Sequence, residues 1–243
     1  MNRRVTNIVF ALVVLAMPFF LVLTVTRVLI SDWYPRHEYA KPDFSPDPYG
    51  FTQAERLDLS LVSIHYLQRL EPPEVAIEML KAQRLPGTDR PLFDRYELSH
   101  MMDVKRLTDV LWQVHVAAGL IVIAGLILLL VRRESRLTGY SALLWGGGLT
   151  ALLLFGLVLF VLLSWREFFI TFHDVFFPPG TWTFDWTSSL IRLFPDQFWF
   201  DAGIILTAGS LLLGLLVALA GYVLGRTAKS FGARRSDVHP RED

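Results

Sequence analysis

Two histidines stand in the most strongly patterned stretches of this chain: His100 in FDRYELSHMMDV and His173 in TFHDVFFPPGTWTFDW. Imidazole exchanges protons near neutral pH, so a converging pair suits general acid–base work. Glu97 and Asp103 flank His100 at three residues on either side. On a helix both reach its face, where a carboxylate fixes a tautomer and raises basicity. Asp174 follows His173 and is a candidate for the same task, although adjacent helical side chains diverge. Trp182, Arg192 or a loop amide are candidates for oxyanion or headgroup contacts. The plainer reading makes all of these solvated polar residues at helix ends.

What brings the two histidines together is the membrane. The hydrophobic fraction is 53%, too high for an ordinary soluble domain. Four apolar runs, at about 5–30, 110–131, 140–165 and 198–224, are long enough to cross a hydrocarbon core of about 30 Å, which takes roughly 20 helical residues. The formal net charge of +0 hides an asymmetry. Arg3 and Arg4 precede the first run, and Arg132, Arg133 and Arg136 fill the link between the second and third. Arg226, Lys229, Arg234 and Arg235 follow the fourth. Four spans put all three places on one side, the cytoplasm. Both histidines then stand at the outer ends of spans, at one lipid–water boundary. The first run is longer than a signal-peptide core, and no small-x-small cleavage site follows it, so it reads as a retained anchor.

The expected fold is an all-α integral membrane protein of four transmembrane helices. It carries a small, mostly helical extracytoplasmic domain and an aromatic interfacial loop. Its segments are an anchor helix (1–30), the extracytoplasmic domain (31–107), a second span (108–132), a cytoplasmic link (133–139) and a third span (140–165). The interfacial loop (166–197), a fourth span (198–225) and a cytoplasmic tail (226–243) complete it. The prolines of 32–49 predict extended or irregular backbone. Thr52-Gln-Ala-Glu55 reads as a capping box opening an amphipathic helix to about Leu70. A shorter helix follows over 74–83, then a turn at Pro86-Gly87. Asp94-Arg-Tyr-Glu97 is a second capping-type start, and nothing from there to Arg132 forces a break. His100 therefore sits on a projection of the second span. Pro178-Pro179-Gly180-Thr181 suits a type II turn. Gly146-Gly147-Gly148, inside the third span, permits close helix packing.

Several chemistries are absent or weak. With no cysteine, an enzyme thioester, a disulfide and cysteine-ligated metal are excluded. No H-E-x-x-H or close histidine pair is present; a zinc site from two distant histidines and Glu97 remains the rival reading. Ser99 faces away from His100, and Ser188 and Ser189 are unremarkable loop serines. There is no phosphate-binding glycine loop and no nucleic-acid signature. His37 and His65 belong to the extracytoplasmic domain and His239 to the tail. His115, beside Gln113 and one turn inside the second span, reads as a structural hydrogen bond to another span. Asp201 reads similarly, and Asp109 marks the span boundary.

FDRYELSHMMDVKRL and FHDVFFPPGTWTFDWTSSLIRLFPDQFW, with the preceding YGFTQAERLDLSLVSIHYL and the four-span layout, resemble the bacterial lipoprotein intramolecular transacylase (Lit) family. The resemblance covers nearly the whole chain, apart from the proline-rich segment and the tail. It implies an acyltransferase of the cell envelope, in the cytoplasmic membrane with its active site on the extracytoplasmic face. Its substrates would be lipoproteins whose N-terminal cysteine carries a diacylglyceryl thioether, met together with membrane lipid. The sn-2 acyl chain would move to the α-amine of that cysteine, giving an N-acyl lyso-form, with no cofactor or metal. By motif match His100 and His173 would be the catalytic pair. One would deprotonate the ammonium; the other would protonate the departing glyceryl oxygen or stabilise the oxyanion. Which does which is open at this level. The substrate's amine is the nucleophile, so the enzyme needs no serine or cysteine of its own. Its pKa near 8 lies close enough to histidine's, near 6.5, for proton transfer. The alternatives are a non-catalytic scaffold or lipid-binding assembly factor, and a metal-dependent membrane hydrolase.

Overall fold

The structure, a computed structural model, describes residues 2–238, with side chains to Ser230. His239 and the side chains of Arg234 and Arg235 lie outside the described residues. Among the described residues ten helices follow one another: α1 (Arg3–Leu29), α2 (Trp33–Tyr39), α3 (Gln53–Gln68), α4 (Pro73–Ala76), α5 (Glu78–Lys81), α6 (Arg95–Val131), α7 (Arg136–Leu163), α8 (Trp165–Phe176), α9 (Ser189–Leu193) and α10 (Asp196–Val238). Helices α1, α6, α7 and α10 are each long and apolar enough to cross a membrane. This is the all-α, four-span architecture that hydropathy predicts. Helix α6 has 37 residues, about 55 Å at 1.5 Å per residue, well beyond a hydrocarbon core of about 30 Å. Its first turns, with Asp103, Lys105, Arg106 and Asp109, therefore lie outside the apolar segment that begins at Val110.

The chain divides into two units, with the divisions falling inside the four long helices. One unit comprises 1–24, 113–158 and 207–243. Val13, Met17, Ala118, Val122, Leu129 and Ala142 form its core. Small residues set the helix spacing. A Cβ on Gly147 would lie 2.5 Å from both the Ala218 nitrogen and the Gly214 oxygen of α10, and one on Gly221 would lie 2.5 Å from the Leu144 nitrogen. The outward faces carry Leu15, Phe19, Leu120, Leu152 and Leu212, all exposed, as suits a lipid environment. His115 Nε2 lies 3.0 Å from Thr24 Oγ1, and its ring stacks on Phe20. The Thr24 hydroxyl gives its own proton to the Phe20 carbonyl at 2.6 Å, so His115 is the donor. This is the span-to-span hydrogen bond expected of it.

The other unit comprises 25–112 and 159–206. Its core gathers Tyr34, Tyr39, Tyr66, Leu80, Phe93, Leu193 and Phe198. The tyrosines are latches as well as packing. Tyr34 and Tyr39 hydroxyls donate to the Phe198 and Leu193 carbonyls, and Tyr66 donates to the Met101 carbonyl. Lys41 Nζ bridges Glu38 and Asp201 at 2.8 and 2.7 Å, which gives Asp201 a structural partner.

Both capping readings describe the backbone. Thr52 and Glu55 exchange side-chain and amide bonds at the start of α3. Asp94 Oδ1 accepts the Glu97 amide while Glu97 Oε2 accepts the Asp94 amide, opening α6. Type II turns form at Leu85–Thr88, with Gly87 at φ 71°, and at Pro178–Thr181, with Gly180 at φ 79°. Other readings differ. The 32–49 segment opens with helix α2, because Pro35 falls in its first turn, where an amide hydrogen has no intrahelical partner. The helix expected over 74–83 is two short turns meeting at Ile77. The third long helix stops at Leu163, since Ser164 leaves helical geometry (φ −147°, ψ 54°). The stretch 166–197 is not a plain loop, for it holds most of α8 and all of α9.

Candidate active site

The site lies wholly within the second unit. His100 comes from the first turns of α6 and His173 from the last turn of α8. Their rings lie 6.3 Å apart, centroid to centroid, at an interplanar angle of 24°. Aromatic side chains box them in. Phe177 and Phe184 pack edge-on against His100, at 4.9 and 5.5 Å. Phe169 and Trp182 lie 4.1 and 4.8 Å from His173. The turn at Gly180 reverses the chain after α8, and Phe177 on one side of it and Trp182 and Phe184 on the other line the box.

The two imidazoles are held differently. His173 Nδ1 lies 2.7 Å from the Phe169 carbonyl. A carbonyl only accepts, so Nδ1 carries the hydrogen and Nε2 carries the lone pair. His100 is 8% exposed, and its Nδ1 is buried with no hydrogen-bond partner. Trp182 Nε1 is also buried and unpartnered. Burial, and after it the nearby His173, push the His100 pKa down from 6.5 to about 4. Burial lowers that of His173 too, against the Phe169 hydrogen bond and the Asp174 charge, which raise it.

These shifts carry a stability consequence. Unfolded, His100 takes a proton near pH 6.5; folded, only near 4. The unfolded state binds more protons in between, so stability present above pH 6.5 is lost as pH falls towards 4. The loss is on the order of 3 kcal/mol. The thermal midpoint in detergent should fall across that window, and fall less in His100→Phe. An equal fall in the variant would place the acid sensitivity elsewhere.

The carboxylates do other work than their spacing suggested. Glu97, 2% exposed, accepts amides from Asp94 at 2.7 Å and Leu190 at 2.8 Å. It ties α9 to the start of α6 instead of orienting His100, and burial raises its pKa. Asp103 pairs with Arg106 at 2.8 Å. Asp174 makes no hydrogen bond to the His173 ring, whose Nδ1 is already satisfied within its own helix. Arg192 is committed to Asp47 at 2.8 Å and lies over Phe51 at 3.6 Å. Of the supporting residues expected from sequence, only Trp182 packs on the histidine pair. Ser188 Oγ is buried without a partner, and Ser189 Oγ donates to the Leu92 carbonyl. His37 stacks on Trp33, and His65 pairs with Asp32. Among the described residues, no three His, Asp or Glu side chains converge as metal ligands. Sequence reasoning missed the Phe169 carbonyl as the group that fixes His173. An i−4 carbonyl is available to any helical residue, so no side-chain pattern marks it.

Four helices long and apolar enough to cross a membrane, and two imidazoles that meet inside an aromatic box, define a multi-pass membrane protein with a candidate acid–base centre. The chain belongs to the lipoprotein intramolecular transacylase Lit family, whose pattern it matches over residues 10–199. It is an acyltransferase that moves acyl groups within lipoproteins. An uncharacterized protein of Aquifex aeolicus (strain VF5) is 29% identical over 222 residues, covering 91% of this chain and 97% of that one. The membrane-integral transacylase Lit of Bacillus cereus shares the fold, with a TM-score of 0.74 at 22% identity, covering 95% of this chain and 99% of that one. A variant of that enzyme with one histidine replaced by arginine aligns with a TM-score of 0.68, also at 22% identity, over 96% of this chain and 95% of that one.

Proposed function

We propose that this protein moves the sn-2 acyl chain of a diacylglyceryl-cysteine lipoprotein to the α-amine of the same cysteine, giving an N-acyl lyso-form, with His100 and His173 as the catalytic pair. The observation that carries this reading is the meeting of the two histidine rings at 6.3 Å. The substrate amine is the nucleophile, which suits a site built from imidazole and aromatic rings without cysteine. Donor and acceptor are parts of one molecule, so holding them in register supplies much of the rate. Exposed Phe172, Val175 and Phe176 on α8 suit contact with acyl chains. The direct test is purified protein with a synthetic diacylated lipopeptide, the product read by tandem mass spectrometry. Fatty acid on the amine and a free glyceryl hydroxyl are expected. Released fatty acid would mark a hydrolase.

We place the site on the extracytoplasmic face of the cytoplasmic membrane. Arg3 and Arg4, the 132–136 link and the basic residues after Leu224 support it. Reporter fusions at Ser31 and at Thr187 should both read as extracytoplasmic; a cytoplasmic signal at either would overturn the topology. The reaction should also persist under strong chelation with no added acyl donor. Activity lost to a chelator and restored by zinc would favour the metal-dependent alternative.

A further inference from the structure

We propose that a groove between α7 and α10 binds the phosphate headgroup of an anionic phospholipid, a ligand distinct from the lipoprotein substrate. The groove lies wholly within the unit comprising 1–24, 113–158 and 207–243, whereas both histidines belong to the other unit.

Its shape follows from how the two helices part. A Cβ on Gly221 would lie 2.5 Å from the Leu144 nitrogen and 2.6 Å from the Tyr140 oxygen, so the backbones touch there. One turn further along α10, a Cβ on Gly225 would have Tyr140 Cβ at 3.7 Å, an ordinary contact. From that point the helices enclose a cleft of about 570 Å³, within the range of small-molecule sites. A stripe of each helix faces it. Helix α7 supplies Leu137, Tyr140, Ser141 and Leu144. Helix α10 supplies Tyr222, Gly225, Arg226 and Lys229. Both sets run i, i+3, i+4, i+7, which is one face of a helix.

The chemistry of the cleft is graded along its length. Arg226 Nη1 donates to the Tyr222 hydroxyl at 3.1 Å, and the guanidinium lies 5.7 Å from that ring's centroid. This contact holds the guanidinium at the mouth and leaves most of its five N–H donors for a ligand. Among the described residues, neither Arg226 nor Lys229 forms an ion pair. The preceding link adds Arg132, Arg133 and Arg136 against Glu134, so the field at this end is positive. Thr138 lines the cleft from the first turn of α7, where backbone amides lack intrahelical acceptors and draw negative charge. Two cations and the hydroxyls of Thr138 and Ser141 suit a phosphate diester. Deeper in the membrane, Leu144 and Gly221 suit glyceryl esters and the first methylenes. A phospholipid fills both parts, whereas free phosphate would leave the apolar floor uncovered. Basic pockets between membrane-spanning helices take anionic headgroups for this reason.

The test uses the purified full chain in detergent at physiological salt, read by melting temperature and native mass spectrometry. Phosphatidylglycerol should raise the melting temperature and stay bound to the wild-type protein, because a ligand of the folded state stabilises it. Phosphatidylcholine and inorganic phosphate should do neither. Arg226→Gln and Lys229→Gln should each weaken phosphatidylglycerol binding roughly fivefold, and together about thirtyfold. Gly225→Leu keeps both cations but fills the cleft, and should also abolish the stabilisation, read against its own lipid-free melting temperature. Arg132→Gln with Arg133→Gln removes the same charge from outside the cleft and should cost less than about twofold, since exposed charges at a distance are screened. Equal weakening by that link variant would reduce the effect to surface charge and overturn the site. Equal stabilisation by phosphatidylcholine would overturn the headgroup assignment, and a dimer that excludes lipid would give the groove to a second copy of the chain.

Discussion

His173→Ala, purified and given diacylated lipopeptide, should form no lyso-form product in an end-point assay, and His100→Ala should do the same. A positioned acid or base contributes roughly 10²–10⁴-fold, and an oxyanion donor a comparable factor. In the proposed reaction both rings serve one tetrahedral intermediate, so the double variant should be hardly worse than either single one. Neither change should unfold the protein. His173 is held by one hydrogen bond inside its own helix, and His100 Nδ1 has no partner to lose. Retention in size-exclusion chromatography with an unchanged helical spectrum is the control. His115→Ala gives the contrast. It removes the bond to Thr24 and the stacking on Phe20, so it should lower the melting temperature and leave turnover intact. Near-full transacylation by both outer histidine variants would remove the pair from the chemistry.

The second large effect is expected in the run of three glycines in α7. Gly147→Leu should disrupt the packing of α7 on α10, whereas Gly148→Leu, one residue on, should be tolerated. A Cβ at 147 lies 2.5 Å from backbone atoms of α10, and one at 148 meets nothing within 4 Å. Backbone cannot rotate aside as a side chain can, so the helices themselves must separate. Overpacking a core typically costs about 1–3 kcal/mol, and forcing helix backbones apart belongs at or above the top of that range. Gly146→Leu should be intermediate, since its obstacle is Met17 Cβ at 2.9 Å, farther off than the backbone atoms met at 147 but itself fixed to α1. Thermal melts in detergent give the order directly. Equal melting temperatures at 147 and 148 would show that the seam is not set by these contacts.

Much of this was legible because it is local. Hydropathy marks the four long helices, and the turns at Gly87 and Gly180 and the two capping boxes are written in four residues each. The histidine motifs stood out in the same way, and only Trp182 among their proposed helpers packs on them. What sequence could not show is partner choice across the chain. Glu97 has spacing suited to His100, yet an amide at Leu190 claims it. Arg192 looked free for a headgroup, yet Asp47 claims it. In both cases the partner is a residue brought close by folding, where a buried carboxylate or guanidinium finds good geometry. Helix α2 was hidden for another reason, because a proline in a first turn reads like a breaker until the turn is seen.

The bond from the Leu190 amide to Glu97 also sets an order in time. Synthesis runs from the N-terminus, so Glu97 and His100 are made well before the segment that carries Phe169, His173, Trp182 and Leu190. During that interval the first histidine has neither its partner ring nor its aromatic cover, and Glu97 is an ordinary hydrated carboxylate. Docking of α9 then gives the carboxylate its Leu190 amide. The pairing of the two rings and the clasp on Glu97 therefore both wait on residues made after α7, and the start of α6 gains its last partner only as the final span is about to be threaded.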